Sequence, residues 1–162
     1  DHMAILTESG RIAVAEYIAA QPIHMAWGNG SASWDATPVL PNVDDVALVA
    51  EIGRLKAATV QYAVPSTTGT IELPEGKFNI SLASTKYLLL NFEFAYTHAV
   101  GQDIRELAVF VGTVAKSTVP AGTTYLTPAQ LDAVGRMMVV ERVAKFTRQA
   151  NTKQKFTYVI QF

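Results

Sequence analysis

The chain has 162 residues, with 13 Lys or Arg against 14 Asp or Glu, a formal net charge of −1 and no cysteine. It lacks the basic surplus that holds a nucleic-acid backbone or an anionic membrane, and without thiols it has no disulfides, thiolate metal sites or cysteine nucleophiles. Charged residues are only 17%, where soluble domains carry about 25%, so the composition points to large ligand cavities or, the reading favoured, to surface covered in an assembly.

In chain order, Asp1-His2-Met3 reads as a tag remnant ahead of a native Met3, and residues 4–162 as a single domain. No basic segment followed by an apolar block marks a signal peptide. The most apolar run, Tyr87–Phe92, is far short of the roughly 20 residues that span a bilayer. Thr7 is placed to cap a helix that carries Glu8 in its first turn and Ile12, Ala15 and Ala19 on one face; Gln21-Pro22 ends it. Residues 23–27 alternate as a strand, with Ile23, Met25 and Trp27 on one side. A polar loop over 28–42 follows, holding Gly28-Asn29-Gly30, Trp34-Asp35, Pro38 and Pro41. A loop of this length is functional or held down by a partner. A second helix is expected next, capped by Asp44 or Asp45, with Leu48, Val49 and Ile52 on one face and Gly53 as its stop.

Beyond this the period falls to two. Strands are expected over 59–64, 71–73, 77–82, 87–96, 104–111, 137–146 and 156–162, with a loop over 113–127 and one helical turn near 129–133. The connections are too short for crossover helices, so the sheets should be antiparallel. The expected class is α+β, mainly β: an antiparallel β-sandwich with two short helices in the N-terminal half.

Catalytic constellations are thin. No paired-histidine motif, calcium loop, phosphate loop or nucleophile elbow is present, so no catalytic, metal or cofactor residues are assigned. Glu93, Arg105-Glu106 and Glu141-Arg142 interrupt apolar strands; alternation puts Glu93 on the outward face, and these charges are read as solvated or partner-facing, with a buried ion pair or an acid–base pair as the alternatives. Trp27 and Trp34 flank the glycine loop as internal anchors, interface residues or a ligand platform.

Four stretches in order carry a resemblance: Leu6-Thr7-Glu8-Ser9-Gly10 before the first helix, Pro22 to Gly30, Leu48-Val49-Ala50-Glu51-Ile52-Gly53-Arg54, and Ile104-Arg105-Glu106-Leu107-Ala108-Val109-Phe110. This order resembles the N-terminal, baseplate-attachment domain of tail-fibre proteins from contractile-tailed phages. It departs from that family at Ala108, where a glycine is usual, in the Trp34-Asp35 that follows the glycine loop, and in two closing strands where a fibre shaft would begin. The resemblance implies a stand-alone structural protein of the tail, at the baseplate or fibre junction. It further implies no catalysis and no cofactor, contacts with other tail, baseplate or fibre proteins, and location in the virion after synthesis in the host cytoplasm. A homo-oligomer is open on this reading; nucleic acid and membrane are not expected as partners. Trp27, Asn29, Trp34, Arg54, Arg105 and Glu106 are the candidate interface positions. Arginine suits such a role because its planar fork makes directional pairs. Two other readings stand beside it: a glycan-binding module using Trp27, Trp34 and Asn29, and a small hydrolase using His24 or His98 with Asp35 or Glu93.

Overall fold

The computed structural model describes residues 2–162. They divide into two compact units: one holds the residues up to Gln21, Ala58–Phe92 and Phe156–Phe162, and the other holds Pro22–Ala57 and Glu93–Lys155.

The first unit begins with α1, Glu8–Ala19. The Thr7 hydroxyl accepts from the Gly10 amide at 3.1 Å, satisfying one of the first-turn donors that a helix leaves open. Lys86 reaches Glu8 at 2.8 Å. The unit's sheet uses β3 (Thr59–Pro65), β4 (Ile71–Leu73), β5 (Gly76–Ser81), β6 (Tyr87–Phe94) and β12 (Gln154–Gln161), in the order β12-β6-β3-β5-β4. The β3–β6, β3–β5 and β4–β5 pairs are antiparallel. Ala63, Phe78 and Leu89 form a buried cluster, with Ile71, Tyr87 and Val159 packed against it.

The second unit carries a five-stranded sheet in the order β11-β7-β1-β2-β9, antiparallel throughout: β11 (Arg136–Thr147), β7 (Asp103–Val111), β1 (Ile23–Gly28), β2 (Glu51–Lys56) and β9 (Tyr125–Leu126). A short antiparallel pair joins β8 (Val114–Ala115), within the region expected to be loop, to β10 (Leu131–Ala133), where the end of a helical turn was expected. The expected helical turn near 129–133 is a 3₁₀ turn over Pro128–Gln130. All of β1 is buried, because it is the central strand, paired on both edges. Ala26, Ala108 and Phe110 form a cluster on this sheet, covered by Leu48 and Met137.

The fold is therefore mainly β and antiparallel in its described pairings, with one α-helix among the described residues where two were expected. The second helix does not form. Residues 43–50 are irregular, and Glu51–Lys56 is strand β2. Gly53 is no helix stop but a strand position paired with Trp27, and a Cβ there would meet the Tyr125 ring.

Candidate interaction site

The connection between β1 and β2, residues 29–50, is the longest irregular stretch of the second unit, and side chains from β7 and β11 hold it in place. Glu106, on β7, is 1% exposed and lies opposite Gly28 in the β1–β7 register. Its carboxylate accepts three backbone amides of this connection: Gly30 at 3.2 Å, Val49 at 3.0 Å and Ala50 at 2.8 Å. Such a buried carboxylate would be costly alone, and these donors offset its lost hydration. Gly28 makes room for it, since a Cβ there would fall on the carboxylate. The Asn29 amide donates to the Ala50 carbonyl at 2.9 Å, so the two ends of the connection meet at Glu106.

Arg105, the preceding residue, takes the middle of the loop. Its guanidinium forks onto Asp35 at 2.9 and 3.0 Å and donates to the Asn29 carbonyl at 3.0 Å. The fork holds the Asp35 carboxyl below the usual carboxylate range, with the Lys145 charge adding to it; Asp35 in turn raises Arg105. The Asn29 side chain donates to the Asp103 carbonyl at 2.8 Å. Trp34 lies in a 3₁₀ turn over Ala32–Asp35, its ring so close to Gly30 that a Cβ there would enter it. Gly30 also has φ +61°, a conformation that glycine adopts freely.

The third fastener is Arg142 on β11, paired with Glu106 in the β7–β11 register. It donates to the carbonyls of Val39 at 3.0 Å and Leu40 at 2.7 Å, lies 4.5 Å from the Trp34 ring centroid, and has Asp45 at 3.8 Å. The backbone is thus fixed while its apolar side chains face outward: Leu40 is 84% exposed, Val43 100% and Val46 78%.

Arg54 forms a separate buried network. It binds Glu51 at 2.6 and 3.1 Å, donates to Thr113 at 2.8 Å and to the Val134 carbonyl at 2.7 Å, and lies 4.0 Å from the Phe110 ring centroid. Trp27 is fully buried, stacked on Phe94 at 3.5 Å and edge-on to Phe146. The structure therefore brings Asn29, Trp34, Arg105 and Glu106 together around one loop, sets Arg54 in its own network, and puts Trp27 in the interior. Arg105 and Glu106 are buried rather than solvated, whereas Glu93, which alternation placed on the outward face, is exposed, 4.0 Å from Lys155. Arg142, which the sequence offered only as a surface charge, is the residue that sequence reasoning missed. Its one signal was the Glu141-Arg142 pair that interrupts the apolar run of this strand.

The structure also places residues named for the two other readings. Trp27 has no exposed ring face on which a sugar could stack. His24 is buried among Arg54 and Lys56, and burial followed by those two charges lowers its pKa to about 4, with no carboxylate bonded to it. His98 stacks on Tyr125 at 4.5 Å and accepts the Ala95 amide on Nδ1. Among the described residues no cluster of three or more His, Asp or Glu could hold a metal ion, and no helix is long and apolar enough to cross a membrane.

A family model described as baseplate wedge 3 tail fiber network component matches residues 3–162. No curated protein matches the chain.

Proposed function

The chain belongs to the baseplate wedge 3 tail fiber network component family, and on that premise we propose that it works where tail fibres meet the baseplate, through the outward side of the 29–50 connection. Membership makes it a structural part of a phage tail, in contact with other tail proteins. The finer assignment rests on one observation: a backbone fixed by Glu106, Arg105 and Arg142 that leaves Leu40, Val43 and Val46 in water.

That combination suits a contact surface for two physical reasons. An exposed apolar run gains by being covered, and a pre-ordered loop loses little conformational entropy when a partner covers it. In this reading Trp34 and Asn29 sit at the contact, Glu106 and Arg105 act by setting the shape of the loop, and Arg54 and Trp27 set the shape of the sheet beneath it. The role is contact, not catalysis.

The double substitution Val43→Asp with Val46→Asp tests this. Both side chains are exposed, so the unfolding temperature should stay unchanged while incorporation into particles is lost. Normal incorporation of that variant would remove the loop from the contact.

A further inference from the structure

Asn29-Gly30 is the one Asn-Gly pair in the sequence. Such a pair is chemically labile. Glycine carries no Cβ, so its amide nitrogen is unshielded and its backbone turns freely onto the asparagine side chain. In the reaction the Gly30 nitrogen gives its proton to water and attacks Cγ of Asn29. The bond from that nitrogen to Cγ forms, the Cγ–Nδ2 bond breaks, and Nδ2 takes up a proton and leaves as ammonia. Water then opens the cyclic imide, at Cγ to give aspartate or at the backbone carbonyl carbon to give isoaspartate. Nothing is oxidised or reduced, and water is the only co-reactant.

The groups that this reaction must free are held in the structure. The Asn29 carbonyl and the Gly30 amide belong to one peptide group, which is pinned on both sides: Arg105 donates to the carbonyl at 3.0 Å, and Glu106 Oε1 accepts the amide at 3.2 Å. Loss of the amide proton would set a second negative charge against that carboxylate. The leaving nitrogen, Nδ2, spends both its hydrogens, on the Asp103 carbonyl at 2.8 Å and on Gln102 Oε1 at 3.3 Å.

The product does not fit these partners. A carboxylate oxygen in place of Nδ2 would face the Asp103 carbonyl, acceptor against acceptor. Isoaspartate adds a methylene to the main chain between the two residues, which carries the peptide group away from Arg105 and Glu106.

We propose that Asn29-Gly30 is a spontaneous deamidation site that the closed 29–50 connection holds unreacted, and that a chain whose connection opens and reacts cannot close it again. Glu106, Arg105, Asp103 and Gln102 thereby guard residue 29 as well as fasten the loop. The inference is independent of what covers the loop in the tail.

The test is peptide mass spectrometry of the purified chain after incubation in mildly alkaline buffer, native and in guanidinium chloride, reading conversion of amide to acid at each asparagine. In the unfolded chain Asn29 should convert faster than Asn42, Asn79, Asn91 and Asn151, each of which is followed by a bulkier residue. In the native chain it should convert at least about tenfold more slowly than in the unfolded one, because reaction waits on opening. Arg105→Met should raise the native rate about tenfold while the β1 and β7 amides stay protected. Asn29→Asp, which installs the product's carboxylate directly, should raise amide exchange over residues 29–50 by about as much. The site is overturned if the unfolded chain converts Asn29 no faster than its other asparagines. Equal rates in native and unfolded parent overturn the guard, and that comparison needs no variant to fold. An Arg105→Met rate as slow as the parent's, with the sheet intact, also overturns it. Protection of the loop in Asn29→Asp equal to the parent's overturns the one-way step.

Discussion

Glu106 does the most for the site of any residue, because one buried carboxylate closes both ends of a 22-residue connection. Hydrogen bonds to a charged group contribute about 1.5–3 kcal/mol each, though their sum is not additive. Glu106→Gln keeps the size but replaces one acceptor oxygen by a donor facing an amide. It should cost about 3 kcal/mol in urea unfolding, and a loss under about 0.5 kcal/mol would mean that the loop is held elsewhere. His24 supplies a second prediction at this scale. Its pKa, about 4 in the fold against about 6.5 unfolded, means that the unfolded state takes up the proton first. Stability is therefore full above about pH 6.5 and falls as pH drops toward 4, by about 3 kcal/mol in all. Burial lowers His98 as well, which adds in the same direction. His24→Gln should remove most of the slope in thermal melts between pH 6.5 and 4, and an unchanged slope would place its origin in other groups.

At the scale of elements, the connection is ordered from outside itself. Arg105 binds its middle and Arg142 its 39–40 segment, each from a strand laid down far later in the chain. Arg105→Met should leave the sheet intact and release residues 29–37, raising amide exchange there about tenfold while β1 and β7 stay protected. Uniform protection would show the ion pair to be incidental, as many partly exposed pairs are. The same dependence explains what could be read locally and what could not. α1 was legible because its cap, Thr7, and its stop, Gln21-Pro22, lie beside it. β1 was legible from its alternating apolar residues between Pro22 and Gly28, and β7 from an apolar run between Gly101 and Gly112. The stretch 44–53 matched a helical template through Asp44, Leu48, Val49 and Ile52, yet the amides of Val49 and Ala50 are taken by a carboxylate 57 and 56 positions away. No local pattern reports such an acceptor. Arg105 and Glu106 drew attention as charges in an apolar strand, but which of the solvated and buried readings holds was not legible, since period two gives the side a residue faces and not what covers that side.

For the whole molecule, the proposed contact role gives the low charge share and the exposed Leu40, Val43 and Val46 one common reading: surface that water covers in the isolated chain and that a neighbour would cover in the tail. Membership of a baseplate and tail-fibre network family supplies such neighbours. The resemblance read from short motifs reached the same kind of protein because those motifs map onto the start of α1, β1 with its glycine loop, β2 and β7. The last three frame the site. Immunogold electron microscopy of intact particles, with antibody raised against this chain, tests the contact role most directly. Gold at the distal end of the tail is the predicted result. Gold only on free protein, with denatured particles also blank on immunoblot, would contradict it.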